Sequence, residues 1–148
     1  MISIRKAVDK DVSLIVAFQE AMALETENLR LDNNLVSKGV KEVFRNTARG
    51  CYYIAEYNGE VVASLLITYE WSDWRNADVW WFQSVYVIPS FRRKGIFRLM
   101  YDYIRQESVK ANAAGLRLYV ESNNTVARKT YEAMGMSCEH YTTYEWLR

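Results

Sequence analysis

Residues 80–97, WWFQSVYVIPSFRRKGIF, decide the fold of this chain, and they begin as a strand. From 79 to 88 the residues are β-branched or aromatic, and only Gln83 and Ser84 interrupt the run. A run that is apolar on both faces is typical of a central strand with both faces covered. We expect the strand to end at Pro89, because proline cannot donate to a strand ladder.

The second half of the same stretch carries cationic side chains at 92–94, followed by Gly95. From Ile96 onward the apolar residues recur at helical spacing, which predicts a helix over 94–112. The first amides of a helix have no intrahelical acceptor and lie at the positive end of its dipole. Together with a glycine that lets a ligand approach closely, they predict a site for phosphate or pyrophosphate. A solvated basic loop is the alternative, and the position between a buried strand and an amphipathic helix argues against it.

The rest of the chain supplies further strands and helices. Asn58-Gly59 lies between two strand-like runs, and these residue types supply the positive φ angles of a tight hairpin turn. The periodicity elsewhere predicts strands over 2–7, 51–57, 60–71 and 115–121, helices over 12–24, 35–48 and 123–134, and a last strand or hairpin over 137–147. This order of elements favours an α/β or α+β class with a mixed sheet.

Length and composition limit the kind of protein this is. With 148 residues, 50% of them hydrophobic and 25% charged, the chain suits one compact domain over residues 1–148. The formal net charge of +1 argues against a general nucleic-acid-binding protein. No apolar run is long enough for a membrane span and the first residues do not resemble a signal peptide, so we expect a cytoplasmic protein without a membrane partner. Cys51, Cys138 and the single histidine do not make a metal-ligand set, so we expect reduced thiols and no metal.

Two motifs resemble one known family. VYVxPxxRxxGI at 85–96 is similar to the acetyl-CoA-binding signature of the GNAT N-acetyltransferases, and NxxAxxxYExxGM at 124–136 is similar to a second segment of that family. One departure is Phe97, where the family usually has glycine or alanine. The tryptophan-rich approach to the strand most resembles the diamine and polyamine acetyltransferase branch. The resemblance narrows the fold class to the GNAT fold, a mixed and mostly antiparallel sheet flanked by helices in the order βααβββαβαβ.

The resemblance implies acetyl-CoA as cosubstrate. It implies that the backbone of 85–87 pairs with the pantetheine arm as a neighbouring strand would, and that the amides of 93–98 hold the pyrophosphate. An amide near Val85 would stabilise the oxyanion. The residues implied in cofactor binding are Val85, Tyr86, Val87, Arg92, Arg93, Lys94, Gly95, Ile96, Phe97, Arg98 and Asn124. Asn124 can also serve as a helix N-cap.

The same resemblance implies two catalytic residues, Tyr131 and Gln83. In the family a tyrosine at the position of Tyr131 faces the thiolate sulfur as general acid, and a phenol with a pKa of about 10 is protonated at neutral pH. The alternative is a ring packed on a helix face. Gln83 stands where many relatives have a glutamate base, and an amide cannot take the proton. It could hold a water that passes the proton to a carboxylate, or be a polar group satisfied by the sheet. The candidate carboxylates are Glu70, Glu121 and Asp78.

The acceptor has the weakest signature. The residues Trp71, Trp74, Trp80 and Trp81 could line a pocket for a cationic amine, or belong to the core or to a homodimer interface. The acidic segment 25–32 could attract an amine or be a solvated loop. The hypothesis is an N-acetyltransferase that moves acetyl from acetyl-CoA to a primary amine (small amine, polyamine or amino-acid-like) by direct attack in a ternary complex. A protein or peptide acetyltransferase and a non-catalytic acyl-CoA-binding sensor are the alternatives.

Overall fold

A computed structural model describes all 148 residues. Its backbone divides into two compact units, Met1–Leu118 and Tyr119–Arg148. The first unit contains β1 (Ile2–Lys6), α1 (Val12–Glu27), α2 (Asn33–Arg45), β2 (Cys51–Tyr57), β3 (Glu60–Ser72), β4 (Ala77–Val87), α3 (Ile96–Lys110) and β5 (Gly115–Leu118). The second unit contains α4 (Thr125–Ala133). That residues 1–148 form a single domain stays a prediction.

The five strands form one sheet in the order β1-β2-β3-β4-β5. All neighbours are antiparallel except β4 and β5, which are parallel. The predicted hairpin is formed with its predicted turn, where Asn58 and Gly59 have φ angles of 51° and 85°. The mixed, mostly antiparallel sheet with flanking helices confirms the predicted fold class.

Both faces of the sheet are covered within the first unit, which explains why 79–88 is apolar apart from Gln83 and Ser84. On one face, Ile15 and Val16 of α1 and Val40 of α2 form a buried cluster with Tyr52 and Ile54 of β2. On the other face, α3 contacts β1, β2, β4 and β5. Met100 and Ile104 of α3 are fully buried, and the ring of Tyr101 stacks on Phe82 of β4 at 5.6 Å between centroids. The sheet is therefore the central layer between two helical layers, and β4 is covered on both faces.

The last predicted element is wrong. Residues 137–147 contain neither helix nor strand, so the observed order ends at α4 and lacks the final β of the predicted βααβββαβαβ. Tyr141, Tyr144 and Trp146 of this segment are exposed. A strand is stable only when a neighbour completes its ladder, and the imperfect alternation of this segment does not specify such a pairing.

Most helix ends deviate from prediction by one to three residues. Helix α2 begins earlier than predicted because the Asp32 carboxylate accepts from the amides of Asn34 and Leu35 at 2.9 and 3.2 Å. Cys51 and Cys138 are free thiols. No helix has both the length and the apolar character that crossing a membrane requires.

Candidate functional site

The strand β4 carries a bulge just before Val85, the first residue of the motif at 85–96. Ser64 of β3 lies opposite Tyr86, whereas Leu66 lies opposite Gln83, so two β4 residues, Ser84 and Val85, face a single residue of β3. Ser84 has a φ of 50°, a left-handed conformation that is uncommon for a residue with a side chain. A bulge of this kind bends the strand and interrupts the regular pairing.

Beyond this bulge β4 has one open edge in the sheet. The parallel ladder with β5 runs only from the pair Val79 and Gly115 to the pair Phe82 and Leu118, while β4 continues to Val87. The backbone of 83–87 therefore has a strand partner in β3 but none on its β5 side. An open strand edge of this length can take up an extended ligand through main-chain hydrogen bonds.

The loop after β4 leads directly into the start of α3. The first intrahelical bond is donated by the Leu99 amide to the Gly95 carbonyl oxygen at 3.1 Å, and no side chain caps this turn. The amides of residues 96–98 are therefore available to a ligand at the positive end of the helix dipole. Gly95 has a φ of 78°, and a Cβ placed on it would have no atom within 4 Å. The loop thus offers an open approach to these amides.

Arg92 is paired within the protein rather than left free, although its side chain is exposed. Its Nε donates to the Val87 carbonyl oxygen at 2.8 Å, and its Nη2 pairs with Glu25 Oε2 at 2.7 Å. The guanidinium lies 5.4 Å from the centroid of the Tyr86 ring, whose hydroxyl donates to Glu25 Oε1 at 3.4 Å. We call Glu25, Tyr86 and Arg92 the loop anchor, because they tie the loop to the end of β4 and to the end of α1. The partner Glu25 was not identified from sequence, since 67 residues separate it from Arg92.

The remaining predicted cofactor residues divide into exposed and buried side chains. Arg93 and Arg98 are exposed and form no ion pair, and Lys94 lies over the Phe91 ring at 4.9 Å. Ile96 is buried. The ring of Phe97 packs edge-on against Phe82 at 6.0 Å, so its bulk points toward the sheet. This placement explains how a large side chain is tolerated at that position of the motif.

Gln83 lies just before the bulge, and no carboxylate contacts its side chain. Its Nε2 donates to Thr68 Oγ1 at 3.4 Å. Of the candidate carboxylates, Glu70 accepts from Trp81 Nε1 at 3.1 Å and from Arg117 Nη1 at 2.7 Å. Asp78 lies at the opposite end of β4. The structure therefore assigns Gln83 a structural partner, and its catalytic role stays a prediction.

In the second unit, the two predicted residues lie at the start of α4 and within it. Asn124 is the N-cap, and its Oδ1 accepts from the Ala127 amide at 3.1 Å. This hydrogen bond confirms the predicted N-cap role of Asn124. Tyr131 lies in the last turn of the helix, and burial raises the pKa of its phenol above the ordinary value. Tyr131 is therefore protonated at neutral pH and able to donate. Gly135, with a φ of 90°, follows the end of the helix.

The four tryptophans near β4 do not form one cluster. Trp81 donates to Glu70 on one face of the sheet, whereas Trp80 packs on Tyr69 at 5.8 Å on the other. Trp74 lies in the β3–β4 turn and is 90% exposed. A single aromatic acceptor pocket built from all of them is therefore not formed.

The sequence matches the Acetyltransferase (GNAT) family over residues 18–136. The chain belongs to this family. A possible acetyltransferase from Clostridium difficile 630 is 42% identical and has a TM-score of 0.91, with 100% of this chain and 98% of that chain covered. This GNAT protein is accordingly an acetyl-CoA-dependent acetyltransferase, which confirms the predicted enzyme class.

More distant structures agree with the fold of this GNAT acetyltransferase. A predicted acetyltransferase from Clostridium acetobutylicum, solved with acetyl-CoA, is 22% identical with a TM-score of 0.75, covering 100% of this chain and 95% of that chain. AAC(6')-Iy, solved with the bisubstrate analogue CoA-S-monomethyl-acetylneamine, is 13% identical with a TM-score of 0.79, covering 100% and 99%. No curated protein sequence matches significantly. The predicted diamine and polyamine branch is not established by these similarities.

Proposed function

We propose that this acetyltransferase moves the acetyl group of acetyl-CoA to a primary amine on a small molecule, such as a simple amine, a polyamine or an amino-acid-like acceptor. Attack occurs directly in a ternary complex. The observation that carries the proposal is the open edge of β4 after the bulge, which the loop over 88–95 connects to the free amides at the start of α3. A linear ligand with an amide-containing arm at one end and a pyrophosphate at the other matches this sequence of donors.

The residues present fit such a ligand. The backbone of 85–87 would bind the pantetheine arm, and the amides of 96–98 would bind the pyrophosphate. Gly95 leaves the approach open, since nothing lies within 4 Å of where its Cβ would be. The exposed guanidinium of Arg93 and the ammonium of Lys94 add positive charge beside these amides. The loop anchor would keep this arrangement in place before the ligand arrives.

The reaction forms a carbon–nitrogen bond and breaks a carbon–sulfur bond. Bound acetyl-CoA supplies the acetyl group as an activated thioester. The amide of Val85, at the bulge, would stabilise the negative oxygen that develops on the attacked carbonyl. The amine nitrogen loses one proton and the departing sulfur gains one. We assign the donor at sulfur to Tyr131 on the resemblance of its motif to the family, and its raised pKa is consistent with a protonated phenol.

An ammonium acceptor must lose one further proton before attack, and we assign its removal to a water held by Gln83, which releases the proton to solvent. An alkylamine with a pKa of about 10.4 is almost entirely protonated at neutral pH, so a proton must leave before attack. Gln83 cannot take it, but its amide can orient a water at the bulge. Because no carboxylate contacts Gln83, we expect acceptors with a lower amine pKa to react faster than simple alkylamines.

A thiol-release assay with acetyl-CoA and matched acceptors tests the proposal. The panel contains propylamine, spermidine, glycinamide and lysine-containing peptides, and calorimetry measures acetyl-CoA binding separately. Thiol release with at least one small amine at a kcat/KM well above that of every peptide supports the proposal. Acetyl-CoA binding with release only in the presence of peptides would replace it with a peptide acetyltransferase. Binding without any thiol release across the panel would overturn it in favour of an acyl-CoA-binding sensor.

A further inference from the structure

A cleft lies at the start of β4, at the opposite end of the strand from the proposed acetyl-CoA site and within the first compact unit. It has a volume of about 400 Å³ and lies between the β3–β4 hairpin and the loop that follows α3. Asp78 in this cleft is seven residues before Val85 along β4, so at the ordinary rise of a strand the two are about 23 Å apart. The cleft is therefore separate from the bulge and from the start of α3.

The floor of the cleft is aromatic. In the ladder between β3 and β4, Tyr69 lies opposite Trp80 and Trp71 lies opposite Asp78, so these side chains share one face of the sheet. The rings of Tyr69 and Trp80 meet edge to face at 5.8 Å between centroids. Trp71 is 59% exposed, which leaves much of its indole accessible at the rim. Aromatic faces of this kind attract cations.

The only charged side chain that lines the cleft is Asp78. Its carboxylate forms no hydrogen bond and no ion pair within the protein, although it is half-buried. Its negative charge adds to the effect of burial in raising the pKa of Tyr69. Arg75, in the adjacent turn, does not line the cleft and directs its guanidinium to Ser72 Oγ at 3.4 Å. The charge of Asp78 is therefore available to a ligand.

The opposite wall of the cleft is the carboxyl end of α3. The helix ends at Lys110, and Ala111, Asn112 and Ala113 line the cleft. The carbonyl end of a helix carries partial negative charge and favours a cation nearby. The Lys110 ammonium does not neutralise this negative helix end inside the cleft. It pairs with Glu107 at 2.8 Å, and Lys110 does not line the cleft.

We propose that this cleft binds a small organic ammonium ion. Aromatic faces, one unpaired carboxylate and a helix carboxyl end all favour the same charge, and about 400 Å³ is within the range of small-molecule pockets. An inorganic divalent ion would need several oxygen ligands, and only one carboxylate lines the cleft. An anion would meet negative charge on both walls. The ligand is therefore a cation with an apolar surface.

Choline and its uncharged analogue 3,3-dimethylbutan-1-ol provide matched probes. They have the same shape, and choline has no N–H, so its nitrogen cannot accept an acetyl group and binding is separated from the proposed reaction. Indole N–H signals in nitrogen–proton correlation spectra report on each of the five tryptophans. We expect choline to shift the signals of Trp71 and Trp80 saturably, while Trp146 is unaffected, and the uncharged analogue to bind at least about fivefold more weakly.

Substitutions at the cleft and in the adjacent turn complete the test. Asp78→Asn and Trp71→Leu should each weaken choline binding at least about fivefold, as expected for loss of a charge or of an aromatic face. The controls Asp73→Asn and Trp74→Leu change the same residue types in the turn, outside the cleft, and should leave the affinity unchanged. Equal affinity for choline and its analogue, or choline shifts that both cleft variants retain, would overturn the proposal. So would the absence of saturable shifts.

Discussion

The two binding sites that we propose at the ends of β4 differ in charge, and different parts of the chain would provide their binding groups. After the bulge, the groups are backbone amides and the exposed cations at 93 and 94. At the start of the strand, they are aromatic rings and the carboxylate of Asp78. A backbone site depends on glycine, proline and spacing, so it leaves a motif in the sequence. A site made of side chains that the pairing of two strands brings together leaves no such motif in the sequence.

The largest expected effect is at the backbone site. Gly95→Glu should weaken acetyl-CoA binding by about a thousandfold, because it adds bulk and negative charge beside the free amides of α3. Calorimetry with acetyl-CoA measures the change. If the Gly95→Glu variant bound acetyl-CoA with undiminished affinity, the pyrophosphate would bind elsewhere. The proposed contrast in charge between the two ends of β4 would then be lost.

Two further glycine variants separate the causes of that loss. Gly39→Glu places the same side chain on the exposed face of α2, where nothing lies within 4 Å of the Cβ, and should leave binding unchanged. Gly95→Ala imposes the strained φ of 78° without the charge. Since its Cβ meets no atom within 4 Å, we expect a cost in stability of about 1 kcal/mol and a much smaller loss of binding than Gly95→Glu causes.

The next largest effect is on turnover. Tyr131→Phe should lower kcat about a hundredfold while acetyl-CoA affinity stays within a factor of about two, because only proton donation is removed. Steady-state kinetics together with calorimetry separate the two quantities. Tyr144→Phe, which removes the same hydroxyl from an exposed ring, is the control. A normal kcat for the Tyr131 variant would exclude it from the mechanism.

The pH dependence gives a second measure of the same residue. Burial raises the pKa of Tyr131, so the donating form persists above the ordinary phenol pKa of about 10. We therefore expect no alkaline decline of kcat below about pH 10 in the wild type from this group. A decline with a midpoint near pH 8 that is absent in Tyr131→Phe would contradict the assignment of its protonation state.

A smaller effect tests whether the backbone site depends on side chains for its position. Glu25→Gln removes the charge that holds Arg92 in the loop anchor. Because both partners are partly exposed, we expect acetyl-CoA affinity to fall by only about two- to fivefold, the range of a surface ion pair. Glu27→Gln, in the same last turn of α1, removes an exposed carboxylate that forms no ion pair and should change nothing. Equal effects of both variants would mean that the anchor does not position the loop.

The accuracy of the sequence predictions follows the same division between local backbone features and side-chain sites. The limits of β2 and the turn at Asn58-Gly59 were predicted correctly, because glycine and asparagine encode that backbone locally. The loop anchor was not predicted, because its residues meet only through tertiary packing. For the cleft, the sequence offered Trp71 and Trp80 as candidate pocket residues, but not their grouping with Tyr69 and the end of α3. The last strand was predicted wrongly because alternation around Tyr141 and Tyr144 describes a side-chain pattern, whereas a strand also needs a neighbour.

The smallest expected effect concerns the independence of the two ends. Sites more than about 10 Å apart that share no partners usually influence each other by no more than about 0.5 kcal/mol, so saturating choline should change acetyl-CoA affinity by less than about twofold. Calorimetry of acetyl-CoA with and without choline measures this coupling, and the reverse titration must give the same factor. A larger, reciprocal effect that disappears in Trp71→Leu would show that β4 transmits binding from its aromatic end to its bulge. A larger effect that persists in this variant would place choline at the acetyl-CoA site, where a cation has no complementary charge.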